Sequence, residues 1–416
     1  MSCGNPADGA IRRKVRMPAL VLMAMLALAL LSGGVVAAGA ASPAAWVDAF
    51  WPTAKAAGIS RKTFDAALGD FTPDPEGLTK AATQAEFNMA IWDYLDMMVS
   101  DDRISEGKAA LGTYAQTLKR IEARYGVDPY VVAAVWGIES HYGAVLKNPK
   151  LVKNTIRSLA TLAYSGGRLG KFGRQQLVAA LKILQRGDVA AKAMTGSWAG
   201  AMGQTQFIPT TYNAFAVDFD GDGRRDIWAS PADALASTAN YLKKSGWQTG
   251  HTWGYEVTLP ANLKLRKNGP RSLGEWEKLG LTRAGGQAFP RPGDKASLYR
   301  PANANGPAFL LLANFSVIKR YNNATSYALA VGHLADRLRG FGEFQTAWPQ
   351  PEKPLSVEEG QRLQELLTKR GYYSGDIDGD IGSGSREAIK HYQIATGLNP
   401  DGVGSRRLLQ LLEAGR

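Results

Sequence analysis

The stretch VWGIESHYG, residues 135–143, sets a glutamate inside an apolar run. Asp128 followed by Pro129 predicts a helix start, with a side-chain cap and a proline in the first turn. Gly143 offers a stop. Between them Val132, Val135, Glu139 and Tyr142 recur at helical spacing on one face. Glu139 therefore points where its apolar neighbours point. A carboxylate withdrawn from water is costly when ionised, so it keeps its proton nearer neutral pH. A protonated carboxyl in a cleft is a general acid. The plain alternative is a helix-edge glutamate that turns to solvent.

Two further stretches carry chemistry. GSWAGAMGQTQFIPTTY (196–212) combines glycines, which let backbone approach a ligand closely, with Ser197, Gln204 and Gln206. Neutral hydrogen-bonding groups of this kind suit sugar hydroxyls and N-acetyl groups. A tight crossing of helices built on small residues reads the same way. DFDGDGRRD (218–226) places Asp218, Asp220 and Asp222 at alternating positions and Gly223 sixth, the pattern of a calcium loop. The Arg224 carbonyl is seventh and Asp226 ninth. The twelfth position holds Ala229, so Asp233 in the next helix is the candidate for the missing carboxylate. DIDGDI (376–381) mimics the pattern, but Ile381 stands where glycine is needed, and a turn is expected there. His141, His251, His333 and His391 show no zinc spacing, and no G-x-S-x-G occurs. Glu139 is thus the leading catalytic candidate.

These residues need elements to hold them. The chain has 416 residues, 45% hydrophobic and 21% charged, enough for two or three folded units. Residues 44–247 read as mainly helical, with SEGKAALGTYAQTLKRIEARYG (105–126) as one helix and Ser230-Pro231 opening another. From 250 to 312 short β-prone runs (YEVTLP, LKLRK, ASLYRP, AFLLLA) alternate with Gly/Pro/Asn turns, which predicts a small β-rich insertion. Helix returns at TSYALAVGHLADRLRG (325–340). Residues 341–354 read as a proline-bearing linker, and 355–413 as a compact three-helix module.

IRRKVR (11–16), an apolar run at 17–31 and small residues at 35–42 form an export signal over residues 1–40. The run is short for a membrane span, and LLSGG has no cysteine after it, so a lipid anchor is not expected. The only cysteine, Cys3, lies in the signal, which leaves no thiol chemistry in the mature chain. Net charge is +12, and residues 1–40 carry +3 (Arg12, Arg13, Lys14, Arg16, Asp8), leaving about +9. An exported basic protein meets anionic polymers. No dense Lys/Arg block points to nucleic acid.

The motifs VWGIESHYG, GAMGQTQFIPTTY, DFDGDGRRDIWASPADALASTANYLKKSGW and NFSVIKRYNNATSYALAV, in order over roughly residues 80–340, together resemble the lytic murein transglycosylase B family. The resemblance implies an α+β, mainly α fold: a lysozyme-like helical catalytic domain over 41–340 with a β-rich subdomain at about 250–312. It implies cleavage of the β-1,4 bond between N-acetylmuramic acid and N-acetylglucosamine, at strand ends or within strands, with 1,6-anhydromuramoyl products. Glu139 corresponds to the family's sole acid/base. Ser197, Gln206, Arg168, Tyr241, Tyr321, Tyr327 and, more loosely, Tyr94 correspond to its substrate-binding residues. Asp218, Asp220, Asp222, Arg224 and Asp233 correspond to a structural Ca2+ site, and no cofactor is implied for catalysis. Residues 355–413 resemble the peptidoglycan-binding domain type 1, although Ser385 and Arg406 stand where its repeat usually has threonine. The expected partner is the glycan strand, with other cell-wall enzymes as candidates. The expected state is a monomer in the periplasm. A lysozyme-like hydrolase and a non-catalytic wall-binding scaffold are the rival readings.

Overall fold

The computed structural model describes residues 42–82, 90–263, 269–302, 306–349, 355–396, 398, 400 and 402–413. The expected export signal and part of the expected strand LKLRK lie outside them. The helices of the larger unit begin with α1 (Pro43–Ala56), α2 (Arg61–Leu68), α3 (Pro75–Ala82), α4 (Ile91–Met98) and α5 (Asp101–Thr113). They continue with α6 (Ala115–Tyr125), α7 (Pro129–Ser140), α8 (Thr155–Ser165), α9 (Gly167–Arg186), α10 (Pro209–Phe215) and α11 (Pro231–Lys244). The short α12 (Leu273–Lys278) lies among strands, and α13 (Ala313–Tyr321) and α14 (Thr325–Arg339) follow. The expected helix over 105–126 is two, α5 and α6. The break falls at Tyr114, after the weak helix formers Gly112 and Thr113, where the ring packs edge-on against Trp136 at 5.4 Å.

α7 is the central helix. Every residue from Val131 to Ile138 is buried, the mark of a helix enclosed on all sides. The Asp128 carboxylate accepts the Tyr130 N–H at 2.9 Å and caps its start, with Pro129 in the first turn. α14 packs along α7, and Arg339 of α14 bonds Asp128 and lies 4.8 Å above the Tyr130 ring. A second core joins α1, α2, α8, α9 and α10 through Phe50, Phe64, Leu159, Leu181 and Tyr212.

Strands β1 (Lys153–Asn154) and β2 (Thr195–Gly196) form a short antiparallel pair. The β-rich insertion is an antiparallel sheet in the order β4-β6-β7-β3-β5, from β3 (Gly254–Thr258), β4 (Arg271–Ser272), β5 (Thr282–Arg283), β6 (Lys295–Tyr299) and β7 (Ala308–Leu311). One face buries Val257, Ala296, Ala308 and Leu310 against Leu273 and Trp276 of α12. Alternation along β7 sends Phe309 to the other face, where Phe344 meets it at 4.9 Å.

Residues 341–346, expected as the start of the linker, are packed onto this unit, which ends at Thr346. Phe344 stacks on His333 at 4.0 Å, and the Glu256 carboxylate accepts the backbone N–H groups of Gln345 and Thr346, each at 2.8 Å. The second unit holds α15 (Val357–Lys369), α16 (Ser383–Ala395) and α17 (Arg406–Glu413) around Leu363, Leu367, Ile389, Tyr392 and Leu412. Ser356 and Glu359 close a reciprocal capping box at its first helix.

Candidate active site

Glu139 occupies the penultimate position of α7 and is half-buried. The Tyr327 hydroxyl, from α14, donates to its Oε1 at 2.6 Å. Burial pushes the Glu139 carboxyl up to about 7, opposed by that hydrogen bond, which favours the ionised form. No neighbouring carboxylate contributes to the shift among the described residues. Tyr327 donates to Oε1, which leaves Oε2 the better placed oxygen to carry the proton of the neutral acid.

Three of the expected tyrosines gather round this carboxylate. Tyr94, Tyr321 and Tyr327 are each pushed well above the ordinary phenol range, first by burial and then by the nearby Glu139 charge. The Tyr321 ring stacks on Tyr327 at 6.5 Å and meets Tyr241 edge-on at 4.9 Å. Tyr241 therefore reaches Glu139 only through its neighbours, and its hydroxyl bonds the Arg320 carbonyl.

The loop 196–207 closes on itself beside them. Bridges join Gly196 to Met202 and Met202 to Phe207. A Cβ on Gly196 would lie 1.9 Å from the Ala201 carbonyl oxygen, so only glycine fits there. Ser197 is buried, and its Oγ accepts the Ala201 N–H at 3.1 Å. Gln206 has left-handed backbone, φ 51°, and its Nε2 donates to the Gly203 carbonyl at 2.8 Å. The Thr205 carbonyl accepts the Tyr321 hydroxyl at 2.6 Å, which links this loop to the tyrosine group. Arg168 stands exposed in the first turn of α9.

Gln204 behaves differently from the sequence reading. Its Oε1 accepts the Trp136 indole N–H at 2.9 Å and its Nε2 donates to the Trp228 carbonyl at 3.0 Å. One end of the amide ties the loop to α7 and the other ties it to the segment that follows the acidic loop. Sequence reasoning also passed over Arg103 and Glu106. Arg103 is a buried arginine bonded to backbone carbonyls, and Glu106 bonds His141 at 2.7 Å. No local pattern signals the contacts to α7, since Gly137 and His141 lie more than thirty residues beyond Arg103 and Glu106.

The acidic loop draws carboxylate oxygens of Asp218, Asp220 and Asp222 within 4.8 Å of one another. Asp218 accepts the N–H groups of Gly221 and Gly223 at 2.7 and 2.9 Å, and Asp222 that of Arg224 at 2.8 Å. The Arg224 guanidinium also bonds Asp222 and holds that carboxyl below its usual range. Converging hard oxygen donors with excess negative charge fit a calcium ion. Asp233 stands outside that group. Its Oδ1 accepts the N–H of Phe219 at 2.7 Å and of Asp220 at 3.3 Å, and its Oδ2 that of Asp226 at 2.8 Å. It staples the two ends of the loop together.

Among the described residues no helix is long and apolar enough to cross a membrane. The family model for the transglycosylase SLT domain matches residues 42–336, and that for a peptidoglycan binding domain matches 356–412. Membrane-bound lytic murein transglycosylase B of Escherichia coli K12 is 32% identical over 247 residues, which span 58% of this chain and 65% of that protein's length. The crystal structure of SltB3 from Pseudomonas aeruginosa, in complex with NAG-anhNAM-pentapeptide, is 49% identical with a TM-score of 0.70. It covers 89% of this chain and 99% of its own. The Escherichia coli lytic transglycosylase Slt35 in complex with calcium is 27% identical, with a TM-score of 0.60, over 73% of this chain and 94% of its own. With its helical unit matched from residue 42 to residue 336, the chain belongs to the transglycosylase SLT domain family.

Proposed function

We propose that the protein is a lytic transglycosylase of the periplasm that cleaves the β-1,4 bond between N-acetylmuramic acid and N-acetylglucosamine in peptidoglycan. The observation that carries this reading is Glu139, poised to about 7 and oriented by Tyr327 at 2.6 Å. A glycoside hydrolase of the usual kind pairs two carboxylates. Here one carboxyl serves both steps. Glu139 gives its Oε2 proton to the glycosidic oxygen as the C1–O bond breaks. The C6 hydroxyl of the same muramoyl residue then attacks C1, and the Glu139 carboxylate takes that hydroxyl's proton. The product is a 1,6-anhydro ring, and the acid is regenerated.

The supporting groups follow from their places. The tyrosine faces of Tyr94, Tyr321 and Tyr327 favour a cationic sugar centre. Ser197 and Gln206 present neutral hydrogen-bonding groups to an N-acetyl or hydroxyl group, and Arg168 binds further along the strand. Asp218, Asp220 and Asp222, with the Arg224 carbonyl, hold a calcium ion that fixes the loop and takes no part in the reaction. Residues 1–40 direct export. The C-terminal module binds the wall polymer and raises the local concentration of substrate.

Digestion of purified sacculi tests the reaction. Products one water lighter than hydrolysed muropeptides are expected, and none from Glu139→Gln. Fully hydrated ends would replace this reading with a lysozyme-like hydrolase.

A further inference from the structure

Among the described residues, three that are not glycine have left-handed backbone: His141 (φ 51°), Tyr142 (φ 55°) and Gln206 (φ 51°). Two of them directly follow Ser140, the last residue of α7, and so lie two and three residues beyond Glu139. Left-handed backbone is strained for a residue with a side chain and persists only where its surroundings impose it.

The groups that impose it come from one face of α5. Glu106 Oε2 accepts from His141 Nε2 at 2.7 Å. The Arg103 carbonyl accepts the Tyr142 hydroxyl at 2.9 Å. Gly107 leaves room for that ring, since a Cβ there would lie 2.2 Å from the hydroxyl oxygen. Positions 103, 106 and 107 follow the i, i+3, i+4 spacing of neighbours on a helix surface. The Arg103 guanidinium reaches past them and donates to the Gly137 carbonyl of α7 at 3.2 Å and to the Met97 carbonyl of α4 at 2.7 Å. Both carbonyls lie in last turns, where a helix carries partial negative charge, so a buried cation is well placed there. The reversal is closed by the His141 N–H on the Gly137 carbonyl at 3.0 Å and the Gly143 N–H on Ser140 Oγ at 3.1 Å.

We propose that Arg103 and Glu106 are positioning residues for Glu139, forming a clasp from α5 that fixes the final turn of α7. The inference rests on the role given to Glu139 above. Without the clasp, His141 and Tyr142 relax toward right-handed backbone and α7 winds on past Ser140. Glu139, on that last turn, then loses its alignment with Tyr327 and with the scissile oxygen.

The test is kcat, KM and pH profile on soluble glycan fragments, with the full-length Glu106→Ala, Glu106→Gln, Arg103→Lys and Glu139→Gln variants, alongside melting temperature. Glu106 is half exposed, so its truncation leaves a folded protein. Glu106→Ala should lower kcat by about 10- to 100-fold with KM near wild type, and shift the alkaline limb that reports Glu139. Glu106→Gln should recover most of the loss, because its amide oxygen still accepts from His141. Arg103→Lys keeps the charge but loses the planar fork, and should lower kcat per folded molecule as well. Wild-type kcat and an unmoved alkaline limb in Glu106→Ala, whatever its melting temperature, would overturn the clasp and leave the role of Glu139 intact. An active Glu139→Gln would instead bring down the reading on which the clasp rests.

Discussion

Glu139 and Asp233 are both carboxylates on helices that hold their protons more tightly than free side chains, at about 7 and about 6. Burial is the main cause in each. Their partners set them apart. Asp233 accepts three backbone N–H groups from one loop and is fully buried, which keeps it from meeting a substrate. Glu139 accepts one phenol hydroxyl on one oxygen and keeps the other for a reacting atom. Desolvation raises a carboxyl's proton affinity wherever it occurs. Unused hydrogen-bonding capacity decides whether that proton can go anywhere. Half-buried Asp218 with exposed Asp220 and Asp222 is a third case, in which clustered carboxylate oxygens suit a hard cation.

The largest way to break this contrast is Glu139→Gln, which should lower the lytic rate by about 10²- to 10⁴-fold while the fold persists. The same variant carries a stability signature. The folded value of about 7 lies above the ordinary 4.5, so the group's contribution to stability is full below pH 4.5 and is lost as pH rises through about 7. Glu139→Gln removes that loss. It should melt higher than wild type at pH 8 and converge with it below pH 4.5. A variant that melts lower at pH 8 would mean that the carboxylate is not withdrawn from water.

The loop sharpens the contrast next. Calcium at a hundredfold excess over its Kd should stabilise the folded state by about 2.7 kcal/mol, read as a rise in melting temperature. Asp218→Ala and Asp222→Ala should abolish the rise. Asp233→Asn should behave otherwise, because its amide nitrogen cannot accept a backbone N–H. A loss of about 2 kcal/mol should appear even in chelator. If Asp233→Asn matched wild type in chelator and differed only with calcium, Asp233 would be a ligand and not a staple.

Tyr327→Phe should have the smallest effect, about tenfold in rate. The phenol hydrogen bond favours ionised Glu139, so its removal raises the carboxyl further and moves the alkaline limb of activity to higher pH. A limb that moves down, or stays, would show that Tyr327 does not set the proton affinity.

What the sequence disclosed divides along the same lines. The start of α7 was legible because Asp128 and Pro129 act on backbone beside them. Its end was not, because Gly143 is the residue that looks like a stop while His141 is the one that caps, held there by Glu106 on another helix. The β-rich insertion was visible from its alternating runs, but the packing of Phe344 on His333 was hidden in a stretch whose prolines read as linker. Gln204 looked like a sugar contact because an amide suits either task, and only the positions of Trp136 and Trp228 decide between them. Glu139 was singled out by its apolar neighbours. Its partner Tyr327, 188 residues further on, followed from family resemblance and from no local pattern.

The three phenols round Glu139 have one more consequence, for the shape of the activity curve. Tyr94, Tyr321 and Tyr327 all resist ionisation far above neutral pH, so none changes charge while Glu139 titrates. The donor on Oε1 remains a donor throughout. The carboxyl loses its single proton against a fixed electrostatic background, and the alkaline decline in rate should follow a one-proton curve of unit slope, neither steepened nor broadened by the ring of tyrosines that encloses it.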